Sequence, residues 1–207
     1  EDFTTYTEVD PNAHITKTAS RVSYTNLAQE EVAYVYKDFG ANYFNGNFTH
    51  LFTTQMDSAT TQVAHLTWTL ANLITGFQGI SDASGDALGV YVLNGIGSTY
   101  YLLLIELDSG VEYDGVSFQI SLATPYYLKA VRDESVGSYG TLYLYTYSDS
   151  ARTTLLNTQS ITLHSSKKDF RYIYPLQTGF TGGAGHTSSG FTENLDFISF
   201  IPRVFII

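Results

Sequence analysis

Apolar and polar residues alternate with a period of two along most of the 207-residue chain. Such alternation predicts β-strands with one buried face, because successive side chains of a strand point to opposite sides. The clearest stretch is TLYLYTYS at 141–148, where Leu142 and Leu144 share the face predicted to enter the core and three tyrosines share the other. Similar runs predict further strands over 32–39, 47–53, 61–74, 88–93, 100–107, 116–122, 126–132, 160–164, 170–176 and 191–201.

Clusters of Gly, Ser, Asp and Asn separate these runs at intervals of about ten residues, which is typical of an antiparallel sandwich or barrel. Asn45-Gly46 lies between two runs and predicts a two-residue hairpin turn. The segments SDASGD (81–86) and SVGSYG (135–140) predict a polar loop and a turn. Because no repeat, linker or charge block interrupts the pattern, we expect one β-sandwich domain over residues 1–207.

Composition narrows the partners that this domain can have. Charged residues make up 14 % of the chain and the formal net charge is −10. Nucleic acid is therefore excluded as a partner, because binding phosphates needs clustered Lys and Arg. No cysteine is present, which excludes disulfides and a cysteine nucleophile. No run of 18 apolar residues occurs, so no membrane span is predicted.

The last eleven residues, FISFIPRVFII at 197–207, are strongly apolar. They predict either a final core strand or a strand added to a neighbouring subunit, because exposed strand edges pair readily with another chain. We therefore expect a homo-oligomer or polymer.

Four sequence segments resemble those of a known superfamily. They are YKDFGANYFNGNFTHLF (36–52), YYLKAVRDES (126–135), TLYLYTYSD (141–149) and GFTENLDFISF (190–200). Together they resemble the concanavalin A-like lectin/glucanase superfamily, and its laminin-G-like members in particular. The resemblance implies an all-β jelly roll of two antiparallel sheets. Such domains bind glycans or proteins, or hydrolyse polysaccharides, and they recur in phage virions and extracellular adhesins.

A catalytic site would need two carboxylates that flank one glycosidic bond. The superfamily's glucanases resemble one another in an E-x-D-x-E strand, whereas this chain has Glu106 and Asp108 followed by Gly110. A bulge could bring Glu112 into the missing position. Because the carboxylate set is incomplete, we expect no enzyme. The alternative is a polysaccharide-active glycoside hydrolase that uses Glu106 with Asp108 or Glu112.

Binding candidates are the tyrosine ladder and a histidine in a Gly-rich loop. Tyr143, Tyr145 and Tyr147 could form a platform for sugar rings, since tyrosine is amphipathic and loses little conformational entropy. The alternative is cross-strand aromatic pairing that only stabilises the sheet. His186 is a second candidate ligand contact.

Calcium is a possible ligand, although no cofactor is required. Asp82, Ser84 and Asp86 supply alternate oxygens in SDASGD, and hard cations bind such oxygens. The alternative is an ordinary Asp-rich turn. Taken together, the sequence predicts a non-catalytic structural or binding domain of a virion surface or extracellular assembly, which self-assembles or recognises glycans.

Overall fold

The computed structural model describes residues 1–60, 62–94, 99–166, 169–179 and 185–198. Nearly all regular structure within them is β, as the alternation predicts. A 3₁₀ turn covers Phe3–Thr5 and helix α1 covers Phe77–Asp82. The strands are β1 Thr7–Val9, β2 Ile15–Lys17, β3 Arg21–Ala28, β4 Tyr34–Asp38, β5 Phe48–Ala59, β6 Ala64–Ala71, β7 Ala87–Asn94, β8 Tyr100–Asp108, β9 Val111–Asp114, β10 Phe118–Ile120, β11 Tyr126–Asp133, β12 Thr141–Tyr147, β13 Leu155–Thr162, β14 Tyr172–Thr178 and β15 Thr187–Ile198.

Two antiparallel sheets form a jelly-roll sandwich, which confirms the predicted fold class. The first sheet has eight strands in the order β1-β4-β14-β6-β7-β8-β10, with β9 paired to β8. The second sheet has seven strands in the order β13-β12-β11-β5-β15-β3-β2. Their inner faces enclose the main core, where the rings of Phe52 and Trp68 stack with centroids 6.0 Å apart. The indole N–H of Trp68 donates to Nδ1 of His50 at 3.2 Å, so the buried donor is satisfied.

The outer faces of the two sheets differ. On the first sheet a second apolar cluster includes Leu66, Tyr91 and Ile105, and helix α1 covers it with Phe77 and Ile80. The ring centroids of Phe77 and Tyr91 lie 5.4 Å apart. The sequence did not predict this helix, because six residues that include a glycine carry no helical periodicity. No helix covers the outer face of the second sheet among the described residues.

Two local expectations need correction. Asn45-Gly46 does not close a hairpin, because β4 belongs to the first sheet and β5 to the second, so this turn carries the chain between sheets. Strand β6 does not have one buried face, because a register shift between Leu66 and Trp68 places Leu66 in the outer cluster and Trp68 in the core. The predicted turn at 135–140 is confirmed, since β11 and β12 pair directly across it.

The apolar end segment is only partly described. Strand β15 ends at Ile198, and Phe197 packs against the core. Residues 199–207 lie outside the described residues, so the strand-donation and oligomer predictions stay predictions. No α-helix in the described part of the chain has the length and hydropathy that a membrane crossing requires.

Candidate functional site

The outer face of the second sheet carries two adjacent rows of polar and aromatic side chains. Strand register places one row across five strands, from β12 to β3: Tyr147, Tyr127, Thr53, Glu193 and Arg21. Because opposite residues of paired strands share a face, these side chains point to the same side of the sheet. Arg21 and Glu193 end the row as an ion pair, with Nη2 and Oε2 2.5 Å apart.

The second row lies beside the first. It crosses four strands through Tyr145, Lys129, Leu51 and Asp196. The ammonium of Lys129 lies 5.6 Å from the ring centroid of Tyr145, within the range of a cation–π contact. The neighbouring Tyr143 ring stacks on Tyr145 at 6.2 Å. The tyrosine ladder is thus on the outer face, as the sequence predicts.

Arg152 joins the two rows. It belongs to the loop after β12, and its guanidinium folds back over the sheet. Nε donates to the carbonyl of Leu128 and Nη2 to that of Phe52, both at 3.2 Å, while Nη1 donates to Ser150 at 3.3 Å. Leu128 and Phe52 pair directly on β11 and β5, so the guanidinium lies between the two rows. A guanidinium has five N–H donors, so two remain for a ligand.

Neighbouring groups only partly offset the burial of the Arg152 guanidinium. Burial lowers the pKa of Arg152, and Tyr147, Tyr127, Asp149 and Asp196 oppose this effect in decreasing order. Among the described residues Arg152 forms no ion pair with a carboxylate. A half-buried guanidinium with spare donors is suited to bind a carboxylate in two-point geometry.

An open cavity of about 650 Å³ lies over this part of the sheet. Leu51, Thr53, Tyr127, Arg152 and Asp196 line it, together with Glu1, Asp2, Ala19, Ser20, Ser150, Asn194 and Leu195. Its size is within the range of small-molecule and oligomer-binding clefts.

Two lining residues have a strained backbone. Arg152 and Asn194 both have φ of 55°, in the left-handed region that side chains other than Gly rarely adopt. Asn194 lies in the bulge between Glu193 and Asp196, where β15 shifts register against β5. Strained residues concentrate at binding and catalytic sites, so their meeting in one cavity supports a functional role.

His186 lies apart from the tyrosine ladder. Its backbone carbonyl accepts from the N–H of Gln29, which follows β3, at 3.0 Å. His186 directly precedes β15, whereas the tyrosines are on β12, three strands away in the same sheet. The structure therefore does not join His186 and the tyrosines into one site.

The predicted carboxylates do not converge. Glu106 and Asp108 share a face of β8, where Glu106 accepts from the backbone N–H of His164 at 2.9 Å and is 1 % exposed. Glu112 opposes Leu107 and so lies on the other face, where the hydroxyl of Tyr91 donates to it at 3.4 Å. This arrangement does not provide two carboxylates across one glycosidic bond.

In the loop predicted to bind calcium, the carboxylates already accept hydrogen bonds from the protein. The carboxylate of Asp86 accepts from the N–H of Ser109 at 2.8 Å and from the side chain of Asn72 at 3.0 Å. Asp82 accepts from the Gln78 amide at 2.7 Å and lines a cavity that Ser84 and Asp86 do not line. Within the described residues no group of three His, Cys, Asp or Glu side chains could hold a metal.

Comparison with known proteins identifies the fold. No protein-family model matches the chain, and no curated protein matches it. Among solved structures, the GH43 protein BlXynB from Bacillus licheniformis is similar with a TM-score of 0.60 and 9 % identity, over 97 % of this chain and 39 % of that one. The chain therefore spans about two fifths of that protein's length.

Two lyases are also similar. Alginate lyase Aly36B has a TM-score of 0.56 and 12 % identity, over 96 % of this chain and 88 % of its own. The endo-β-1,4-glucuronan lyase of the fungus Trichoderma reesei has a TM-score of 0.51 and 10 % identity, over 93 % and 86 %. At these identities the likenesses show the jelly-roll fold and nothing finer. The laminin-G-like and virion details of the resemblance stay predictions.

The expectation that the domain is not an enzyme is wrong. It rested on an incomplete carboxylate motif at one strand, whereas the solved structures that share the fold include an alginate lyase and an endo-β-1,4-glucuronan lyase. Part of the cleft is not predicted by the sequence. The alternation in YYLKAVR could have placed Tyr127 and Lys129 beside the ladder, but no local signal in the chain indicates that Arg152 folds back onto β5 and β11.

Proposed function

We propose that this domain binds and cleaves an acidic polysaccharide in the cleft on the outer face of the second sheet. The observation that carries the proposal is Arg152, which is half-buried in the cavity floor and keeps two N–H donors for a ligand. Uronate units supply the planar carboxylate that a guanidinium recognises in two-point geometry. Two similar structures are those of an alginate lyase and a glucuronan lyase, which supports this substrate class.

The reaction we propose is β-elimination at a uronate unit. A base removes the proton at C5, next to the carboxylate, and the C5–H electron pair forms the C4=C5 bond as the C4–O4 bond breaks. The departing O4 receives a proton. Arg152 stabilises the negative charge that develops on the carboxylate, which is the role of a preorganised donor in a partly dry site.

Tyr127 and Tyr147 are the candidates for proton transfer. They oppose each other on β11 and β12, and both act electrostatically on Arg152. A tyrosine can act as general base or acid when it lies within reach of the transferred proton. Tyr127 also lines the cavity, so we assign it the proton removal at C5.

Hydrolysis is less well supported by the cleft. Of the three carboxylates that line the cavity, Glu1 accepts from Lys37 at 2.8 Å and Asp2 accepts from the backbone N–H of Thr4 at 2.9 Å, which leaves Asp196. The carboxylates of Glu106 and Glu112 lie on opposite faces of the β8–β9 pair. Hydrolysis with general acid and base would need two carboxyl groups facing one glycosidic bond.

The test is product analysis with defined polysaccharides. The chain is incubated with alginate, glucuronan and polygalacturonate, and with the neutral polymers xylan and cellulose. Ultraviolet absorbance reports the C4=C5 bond, and a reducing-end assay reports any cleavage. We expect absorbance with at least one uronate polymer and none with the neutral polymers. New reducing ends without absorbance would establish hydrolysis and overturn the elimination, and no cleavage of any polymer would overturn the function.

Matched variants connect the activity with the cleft. Tyr127→Phe and Arg152→Lys should abolish or greatly reduce cleavage. Tyr43→Phe and Arg171→Lys are the controls, because Tyr43 is 54 % exposed and Arg171 pairs with Asp38 outside the cleft. Equal activity in all four variants would place the active site elsewhere.

A further inference from the structure

The basic side chains of the protein differ in whether a carboxylate neutralises them. The chain has 20 acidic and 10 basic residues, so carboxylate partners are in excess. Most of the described Lys and Arg residues form ion pairs with them: Lys17 with Glu8, Arg21 with Glu193, Lys37 with Glu1, Arg132 with Glu134 and Arg171 with Asp38. Within the same described part of the chain, Lys129 and Arg152 are the two that form no ion pair.

These two cations are neighbours on the outer face of the second sheet. Lys129 directly follows Leu128, whose backbone carbonyl accepts from Nε of Arg152 at 3.2 Å. Lys129 also opposes Leu51 in register, and Leu51 lines the cleft together with Arg152. The half-buried Lys129 therefore borders the cleft at the side of β11 and β12.

Two adjacent cations without counter-charges favour an anionic ligand. Like charges at short distance repel each other, and partial burial strengthens the repulsion because water screens it less. A ligand with one negative charge would neutralise Arg152 and leave Lys129 as it is. A ligand with two neighbouring carboxylates neutralises both cations, so the pair indicates a polymer in which acidic units follow one another.

The tyrosines beside Lys129 provide a surface for the second unit. Nζ of Lys129 lies 5.6 Å from the ring centroid of Tyr145, which opposes it in register on β12. The rings of Tyr143 and Tyr145 stack with 21° between their planes. The apolar face of a sugar can pack on these amphipathic rings while its carboxylate accepts from the ammonium.

We propose that Lys129 binds the carboxylate of the uronate unit next to the one that Arg152 binds, with Tyr145 and Tyr143 packed against that second unit. The inference rests on the proposed function and makes its substrate class narrower. The preferred substrate is a homopolyuronate, in which every unit carries a carboxylate, and not a polymer in which acidic and neutral sugars alternate. Lys129 is a binding residue, so its loss should raise KM and leave kcat nearly unchanged.

Binding measurements in a Tyr127→Phe background test the proposal without turnover of the polymer. Affinity electrophoresis of the full chain gives Kd for glucuronan, polygalacturonate and alginate, and for hyaluronan, in which uronate alternates with a neutral amino sugar. We expect Lys129→Gln to raise Kd for the homopolyuronate that binds best by about tenfold, the effect of one lost charge-assisted hydrogen bond. Kd for hyaluronan should change little. Lys129→Arg should keep most of the affinity, because it keeps the charge.

Arg171→Gln is the matched control, because it also removes one positive charge. Arg171 pairs with Asp38 and does not line the cleft. If Lys129→Gln does not fold, Lys129→Met tests the same contact and keeps the apolar stem of the side chain. An unchanged Kd in the Lys129 variant would overturn the proposal. Equal weakening by Arg171→Gln, or an equal loss of affinity for hyaluronan, would overturn it as well.

The proposed function and this inference fail in different ways. Binding that depends on Lys129, without cleavage of any polymer by the wild type, would overturn the proposed elimination and support the second subsite. Cleavage of a homopolyuronate with the same KM in Lys129→Gln and in the wild type would overturn the second subsite and support the proposed function.

Discussion

Arg152 donates from Nη2 to the carbonyl of Phe52, one hundred positions earlier in the chain, at 3.2 Å. The same guanidinium reaches Leu128 on the adjacent strand, so one side chain spans β5 and β11. Through this contact the loop after β12, which carries Arg152, forms part of the floor of the cleft. Arg152 therefore has a structural role and a proposed ligand-binding role. These two roles can be distinguished by measuring stability and cleavage separately in one variant.

Arg152→Lys retains the positive charge and loses the planar fork. We expect stability to fall by about 1–2 kcal/mol, because three charge-assisted hydrogen bonds to backbone carbonyls are lost or weakened. Cleavage of the polyuronate should fall by about 10²–10³-fold, as for loss of a preorganised donor. Urea unfolding and initial rates measure the two effects. A loss of rate no larger than the loss of folded protein would contradict a role in catalysis.

Asp149 holds the loop that carries Arg152. Its carboxylate accepts from the backbone N–H groups of Thr153 and Thr154, at 3.1 and 2.7 Å, and these bonds lower the pKa of Asp149. Asp149→Ala should therefore reduce activity more than stability, because it frees the exposed loop and leaves the core unchanged. Asp149→Asn keeps one acceptor oxygen and should restore part of the rate. Activity equal to wild type in the Ala variant would show that the loop holds its position without Asp149.

The two faces of β12 should respond differently to truncation. Leu144 is fully buried in the main core, so Leu144→Ala should cost about 2–5 kcal/mol through lost contacts and the cavity left behind. Tyr145→Ala removes a half-buried ring that stacks on Tyr143, and should cost about 1 kcal/mol. Denaturant unfolding compares the two variants. The opposite order of costs would contradict the assignment of inner and outer faces.

Two core histidines should make the protein sensitive to acid. Burial lowers the pKa of His50 to about 3 and that of His65 to about 4. In the unfolded chain both bind protons near their ordinary pKa of 6.5, so the unfolded state gains protons first as the pH falls. Stability should thus be constant above about pH 7 and decrease between about pH 6.5 and pH 4, by about 3 kcal/mol per histidine.

Replacement of either histidine by Gln should reduce this pH dependence. The quantity to compare is the change in unfolding free energy between about pH 7 and about pH 4.5, because that difference cancels the cost of the substitution itself. A His186→Gln variant is the control, since His186 is half-buried at the surface. An identical pH profile in the His50 and His65 variants would show that other groups cause the acid sensitivity.

Glu112 should have the opposite effect on stability, which it should reduce as the pH rises. Burial and the neighbouring Asp114 raise the pKa of Glu112 from 4.5 to about 7. The folded state then holds the proton more tightly than the unfolded chain, so this group loses stability as the pH rises from about 4.5 to about 7. Glu112→Gln should stabilise the protein at about pH 8, by about 1 kcal/mol because partial exposure screens the interaction, and should have little effect at about pH 4. Destabilisation at about pH 8 would contradict this prediction.

The period-two pattern of the sequence determined the fold class and the strand faces. Leu142 and Leu144 enter the core while Tyr143 and Tyr145 remain outside, because an apolar face must be buried and a strand alternates its faces at every residue. The strand-and-turn spacing likewise predicted the β11–β12 hairpin. These features are local, so the order of residue types is enough to predict them.

Only the tertiary structure decided which strands are neighbours and where the cleft lies. Asn45-Gly46 has the composition of a hairpin turn, yet β4 and β5 pair in different sheets, because pairing depends on which long-range partners bury the most apolar surface. Arg152 and Phe52 are one hundred positions apart in sequence, and no local pattern relates them. Their meeting depends on the register of strands brought together by burial of the core, and this is the physical reason that the sites required the structure.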